Sequence, residues 1–361
     1  MIGVPLVPFI QRISAGKNLS LDDAHRAMSV LLEGEASPAE IAEFLIALKT
    51  KGETAEELAG FARAMRERSV FVDGGDNLID TCGTGGAGDG TFNISTLAAL
   101  VMAGAGAKVA KHGNRSISSA TGGSAEMVEA LGVRFVMTPE DAARAIREIG
   151  IGFLYAPHLH PAMKHAQPVR RELKVRTVFN LLGPLTNPAR AQSQLIGAPS
   201  REAARLMADA LSMLGASEGT SERTPGAAPE KTHAFVVHGH DGLDEISITG
   251  PTDVYEVWTG RGEKNVTKHV WTPRDFGVDL EGSLDQLRGG DGARNAEIAL
   301  EILGGAVGPR RDIVLMNAAA GLVAGGLSED LRQGMNMAAH SIDSRAAQDR
   351  LTQLQKHFPR S

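Results

Sequence analysis

From Asn77 onward, short apolar segments alternate with segments of helical periodicity, and this alternation is the strongest constraint on the fold. Strands are predicted at Leu78–Thr81, Lys108–Ala110, Gly152–Tyr155, Gln194–Ile196, His233–Val237 and Asp253–Val257. Helices are predicted between most of them, at Ser95–Ala105, Ser124–Leu131, Pro139–Ile149 and Glu202–Leu214. Strand–helix alternation requires a layered α/β domain with a largely parallel sheet. Further helices are predicted near Ala293–Leu303, Arg310–Ala324 and Leu331–Gln355. The stretch Ala216–Lys231, rich in Ser, Thr, Gly, Pro and Glu, reads as a surface loop without inferred chemistry.

The first 75 residues contain only helical signals. Ser20 precedes Leu21-Asp22-Asp23 as an N-cap, and Gly34 ends that helix. Ser37-Pro38 opens a second helix, which Gly52 stops. Thr54, with Glu57 three residues on, forms a capping box for a third. At 361 residues, two domains are expected.

Composition excludes several function classes. The single cysteine, Cys82, rules out a disulfide framework and a Cys-based zinc site. A net charge of −6 and an aromatic content of 4% speak against nucleic-acid binding. The apolar run Ile94–Ala107 is too short and too Gly-rich to span a membrane. Met1–Ile13 carries no export signal, so the expectation is a soluble cytoplasmic protein.

The most informative segment runs from Asp80 to Thr96, after a strand and before a helix, with five glycines between Gly83 and Gly90. Glycines there let backbone N–H groups approach an anion, and the helix N-terminus adds a favourable dipole. Gly83, Gly85 and Gly88 also fit dinucleotide-binding spacing, but the acidic residue that motif needs is absent from Val101–Ala110. A nicotinamide-dependent oxidoreductase is therefore disfavoured. Lys111-His112-Gly113-Asn114-Arg115-Ser116-Ile117-Ser118-Ser119 is read as the segment following the next strand. Its cations, amide and hydroxyls suit a diphosphate beyond the strand ends. Ser124 is read as a helix cap, a phosphate ligand, or both. Asp244-Glu245 offers hard oxygen donors suited to magnesium, although in isolation such a pair is more often a solvated one. Taken bare, Arg170 reads as a helix-surface ion-pair residue.

Together these segments resemble the anthranilate phosphoribosyltransferase family of tryptophan biosynthesis. The resemblance continues through Phe153–Lys164, Pro168–Leu173, Arg176–Pro188 and His238–Glu245, and so covers nearly the whole chain. It implies a small all-helical domain beside a larger α/β domain with a mostly parallel central sheet, and an active site in the hinge cleft. The expected division is residues 1–75 for the helical domain, joined by helices from about 168–190, and 76–167 with 191–361 for the α/β domain. The implied reaction transfers phosphoribose from 5-phosphoribosyl 1-diphosphate to the amine of anthranilate, with Mg2+ as cofactor. The implied assembly is a homodimer through the helical domain.

The residues expected around the sugar diphosphate are Gly83, Gly85, Gly86, Ala87, Asp89, Thr91, Asn93, Ile94, Ser95, Thr96, Lys111, His112, Gly113, Asn114, Arg115, Ser116, Ile117, Ser118, Ser119, Gly123 and Ser124. Gly83, Asn114, His160 and Arg170 are expected at anthranilate, and Ser95, Asp244 and Glu245 at the metal. His112, His158 and His160 are lining candidates; no covalent nucleophile and no general acid or base is assigned.

Two departures from the family pattern fall on the diphosphate side. Ala87 stands where the family usually has Asp, with Asp89 two residues later. The segment Ala120–Glu126 is one residue longer than usual and lacks a Lys. A nucleoside phosphorylase of the same fold, or a non-catalytic nucleic-acid-binding relative, is the alternative. The acid pair and the Arg170 context oppose the first, and the negative charge opposes the second.

Overall fold

The computed structural model describes residues 5–85, 90–115, 123–214, 231–260, 263–279 and 282–360. It begins with four helices: α1 (Val7–Ser14), α2 (Leu21–Glu33), α3 (Pro38–Lys51) and α4 (Ala55–Glu67). The predicted caps form. Ser20 Oγ accepts the Asp23 amide, and Ser37–Glu40 and Thr54–Glu57 are reciprocal capping boxes. Gly34 closes α2 in the left-handed conformation. The helix α1 lacks a side-chain cap, but Phe9, Ile10 and Ile13 are buried. Helices α2 and α4 approach closely at Gly60, where a Cβ would lie 2.3 Å from the Leu21 carbonyl oxygen.

The chain then alternates: β1 (Leu78–Asp80), α5 (Ile94–Gly104), β2 (Lys108–Gly113), α6 (Ser124–Ala130), α7 (Pro139–Ile149), β3 (Ile151–Tyr155). Three short helices follow, α8 (Ala156–Leu159), α9 (Gln167–Leu173) and α10 (Phe179–Leu185), and then β4 (Ser193–Gly197), α11 (Arg201–Leu214) and β5 (Lys231–Gly239). A meander of β6 (Thr252–Gly260) and β7 (Glu263–Trp271) precedes α12 (Gly292–Leu303), α13 (Pro309–Ala324), α14 (Leu331–Asp343) and α15 (Ala346–His357).

The seven strands form one sheet in the order β3-β2-β1-β4-β5-β6-β7. β1 to β5 pair in parallel, whereas β6 and β7 are antiparallel. The expected mostly parallel α/β architecture with an N-terminal helical unit is thus what the chain forms.

Three expectations need correction. Strand β2 runs on to Gly113, so Lys111, His112 and Gly113 are strand residues paired with Phe153, Leu154 and Tyr155, and not part of a following loop. The β3 ladder satisfies their backbone groups, and this pairing outweighs the polar side chains. Strand β7 was not foreseen; it is the edge strand, and its sequence is polar because most of its described side chains are exposed. The single helix expected over Leu331–Gln355 is two, broken after Asp343, where Arg345 takes φ +67°. Apart from Lys231 in β5, the Ala216–Lys231 stretch lies outside the described residues.

Period-two alternation along β5 divides the core. Phe235 and Val237 join the cluster that packs α5, α7 and α12 to α15 against one sheet face. Ala234 and Val236 join the cluster containing α1 to α4, α9, α10 and α11. No helix among the described residues is long and apolar enough to cross a membrane.

Candidate active site

The site is built where the C-terminal ends of β1, β2, β4 and β5 meet, the position at which α/β sheets bind ligands. After Asp80 the chain turns through Thr81-Cys82-Gly83-Thr84-Gly85. The Thr84 amide donates to the Gly197 carbonyl (3.0 Å), tying the turn to the end of β4. Gly85 takes φ +66°, which favours glycine. The turn returns to α5, where Thr81 Oγ1 donates to the Ser95 carbonyl (3.0 Å).

The acid pair faces this turn from below. A Cβ on Gly83 would lie 3.3 Å from Asp244 Oδ2, and the Ser95 amide donates to Glu245 Oε1 (3.2 Å). Glu245 therefore sits at the N-terminus of α5, with the Gly83 turn beside Asp244. Burial, and then the adjacent Asp244 charge, push the Glu245 carboxyl up to about 8. Glu245 with the neighbouring Asp244 carboxylate forms an oxygen donor set that a divalent cation would neutralise. The residues present thus fit a magnesium ion.

Beneath the turn lies a buried polar network. Lys111 Nζ donates to the Thr81 carbonyl (2.5 Å). Asp80 accepts the His112 amide (3.1 Å) and Asn187 Nδ2 (2.7 Å). Burial lifts the Asp80 carboxyl to about 6 and lowers the His112 imidazole to about 4. His112 Nδ1 lies 3.1 Å from the Gly183 carbonyl, which leaves Nε2 as a lone-pair acceptor. Among the described residues, that buried Nε2 and the buried Nε2 of His160 have no hydrogen-bond partner, and the two rings stand 5.3 Å apart. Burial also holds His160 well below its usual range. Among the described residues, Asp80, Cys82 and His112 are the one group of three spaced to hold a metal. However, burial pushes the Cys82 thiol up to about 12, and the Asp80 oxygens already accept protein N–H groups, so the group is structural.

The remaining predicted residues divide. Ile94 is buried at the start of α5, Thr96 is buried behind it, and Thr91 makes a bridge to Arg288. Asn93 Oδ1 accepts Asn295 Nδ2 (3.0 Å). Asn114 is exposed beyond β2 and accepts the Arg115 amide. The Arg115 guanidinium is engaged by Glu129. Gly123, not Ser124, is the N-cap of α6; a Cβ on Gly113 would lie 3.1 Å from Ser124 Oγ. His158 is exposed on α8. Gly86, Ala87, Asp89, Ser116, Ile117, Ser118 and Ser119 lie outside the described residues.

Arg170, on α9, departs from its bare reading. Among the described residues it makes no ion pair; its guanidinium lies 5.0 Å over the Phe179 ring, and burial lowers its pKa. A cation half-removed from water and stacked on an aromatic ring is suited to a planar carboxylate.

Sequence reasoning missed the residues that brace the site. Gly197 must be glycine, because a Cβ would fall 1.7 Å from the Asp244 carbonyl oxygen. Asn317, on α13, clamps both backbone groups of Ile246 (3.0 and 3.1 Å), fixing the chain just after the acid pair. These contacts span long sequence separations and leave no local signal.

The comparisons with known proteins agree with this geometry. Residues 75–348 match the model of the glycosyl transferase family, a/b domain, and residues 7–69 that of its helical bundle domain. The anthranilate phosphoribosyltransferase of Solibacter usitatus is 55% identical over 97% of this chain and 97% of its own length. The chain belongs to the anthranilate phosphoribosyltransferase family. A second member, from Symbiobacterium thermophilum, is 48% identical over 93% of this chain and 92% of its own. Among solved structures, the family member from Thermus thermophilus superposes with a TM-score of 0.85 at 40% identity, over 96% of this chain and 98% of that one. The Saccharomyces cerevisiae family member, in complex with PRPP and Mg, superposes with a TM-score of 0.83 at 28% identity, over 98% and 97% of the two chains.

Proposed function

We propose that this chain transfers phosphoribose from 5-phosphoribosyl 1-diphosphate to the amine of anthranilate, giving N-(5-phosphoribosyl)anthranilate and diphosphate for tryptophan biosynthesis. The observation that carries the reading is the convergence of the Gly83 turn, the N-terminus of α5 and Asp244-Glu245 on one point. The family supplies the substrates: its Saccharomyces cerevisiae member binds PRPP and Mg, and a further structure of it holds 4-fluoroanthranilate.

Asp244, Glu245 and Ser95 would hold Mg2+, which when bound supplies positive charge to the leaving diphosphate. The positive end of the α5 helix dipole lies beside the acid pair and favours the same developing negative charge. Anthranilate's amine is a neutral nucleophile and needs no base before attack. His112 and His160, kept neutral by burial, line the acceptor side without adding a competing cation. Arg170 orients the anthranilate carboxylate, and this positioning makes up a large part of the rate.

In this reading the helical unit, residues 1–75 with about 168–190, closes against residues 76–167 and 191–361 across the cleft. Closure excludes the water that would hydrolyse the sugar diphosphate. The enzyme works as a homodimer through its helical unit, in the cytoplasm. The direct test follows the loss of anthranilate fluorescence on mixing with sugar diphosphate and magnesium, omitting each component in turn. Arg170→Ala should raise the KM for anthranilate by about 10–100-fold, as expected for a lost charged hydrogen bond, and change that for the sugar diphosphate far less. Equal changes in both would refute the assignment of Arg170.

A further inference from the structure

The segment Leu185–Arg190, between α10 and β4, is bonded to both sides of the molecule. Toward the helical unit, Arg66 Nε donates to the Leu185 carbonyl (2.7 Å), and Arg190 Nη2 donates to the Arg66 carbonyl. Each guanidinium thus meets carbonyls at the C-terminal end of the other's neighbouring helix, α10 or α4, where the dipole favours a cation. Both arginines are buried, and burial lowers both pKa values, to about 9 for Arg66 and about 10 for Arg190. Toward the strand tips, Asn187 Nδ2 donates to Asp80 Oδ2 (2.7 Å) and to the Ala110 carbonyl (2.9 Å). The Val72 amide, on the chain leaving α4, donates to the Pro188 carbonyl (3.3 Å). Arg190 itself adopts φ +53°, a conformation that a non-glycine residue keeps only where its surroundings enforce it.

We propose that Arg190, with Arg66, is a positioning residue: through the Leu185–Arg190 turn it fixes the spacing between the acceptor half-site carried by Arg170 and the sugar-diphosphate half-site carried by the Gly83 turn. The inference rests on the function proposed above. It follows from the layout of the bonds. Arg170 lies over Phe179, which packs in the core that joins the helical unit to one sheet face, whereas Asp80 leads directly into the Gly83 turn. The turn contacts both through short, buried hydrogen bonds and so transmits their relative position. Two buried like charges with no carboxylate bonded to either among the described residues are a costly way merely to fill space. Loosening the latch leaves each half-site intact but misaligns the amine with the anomeric carbon.

The test is a partition ratio. On a misaligned enzyme, water displaces diphosphate from the sugar in place of the amine: the anomeric C–O bond breaks, a C–O bond to water forms, and the water's proton passes to solvent. The products are ribose 5-phosphate and diphosphate. Arg190→Asn tolerates the left-handed backbone and removes the guanidinium; Arg66→Met removes the opposite bond. Each variant should raise the ratio of hydrolysis to transfer about tenfold or more at nearly unchanged KM for both substrates. Arg190→Lys, which keeps a buried cation, should recover part of the coupling. With hydrolysis in enzyme-free controls subtracted, a partly unfolded preparation lowers both products together and leaves the ratio unchanged, so fold loss cannot imitate the effect. A wild-type ratio in both Arg190→Asn and Arg66→Met overturns the inference. A wild-type enzyme that makes no phosphoribosyl product instead overturns the proposed reaction.

Discussion

Glu57 and Glu245 are both glutamates set near a helix N-terminus, and they meet opposite fates. Glu57 is fully buried in the helical unit, and its two oxygens accept the Leu19 amide, the Thr54 amide and Lys51 Nζ, each at 2.9 Å. Every demand of its charge is met by protein. Glu245 receives the Ser95 amide at 3.2 Å and has a second carboxylate, Asp244, beside it in sequence. The first arrangement is complete as folded, whereas under the proposed function the second takes up a magnesium ion. A buried acid is structural when its donors are internal, and points to a ligand when its nearest charged neighbour has the same sign.

The same substitution at the two positions can break this contrast. Glu245→Gln should lower turnover with magnesium by about 10²–10³-fold, the range seen when one electrostatic contact to developing charge is lost. Its thermal unfolding should stay close to wild type. Unaltered turnover across a magnesium titration would remove Glu245 from the site. Glu57→Gln should do the reverse. It leaves Lys51 buried opposite a neutral amide and should cost about 3 kcal/mol of stability, read as a shift in the urea midpoint. Activity per folded molecule should be retained. A Glu57→Gln enzyme of normal stability but impaired turnover would invert the comparison.

What could be read from the sequence follows the same division. Around Glu57, local rules suffice: Ser20, Ser37, Thr54, Gly34 and Gly52 sit at helix ends because caps act within four residues. The parallel α/β layer was legible from alternation, and the Gly83 turn and acid pair from residue type and resemblance. The polar strand residues were not. Lys111 and His112 look like a loop, yet they are buried in β2 because Thr81, Gly183 and Asp80, all far away in sequence, supply their partners. The pairing of Arg115 with Glu129 on the next helix likewise has no sequence signal. Gly197 and Asn317 shape the acid turn across 47 and 71 residues respectively, and no periodicity carries that information.

The groups beneath the Gly83 turn sharpen the contrast through pH. Burial lowers the His112 imidazole from 6.5 to about 4, so between those values the unfolded chain takes a proton that the folded protein refuses. Stability from His112 is therefore lost as pH falls through that window, and His160, lowered for the same reason, adds to the loss. Asp80 runs the other way. Burial raises its carboxyl from 3.8 to about 6, so the folded protein holds a proton there that the unfolded chain releases, and acidification through that range stabilises. Glu245, raised by burial and by Asp244, acts in the same direction as Asp80 and against the two histidines. Two variants separate the contributions. His112→Asn should flatten the dependence of the urea midpoint on pH below 6.5, and Asp80→Asn should steepen it, whatever either does to stability at neutral pH. Slopes parallel to wild type in both variants would mean that the network beneath the turn does not titrate as a buried unit, and would remove the physical basis for treating His112 and His160 as neutral walls of the acceptor site.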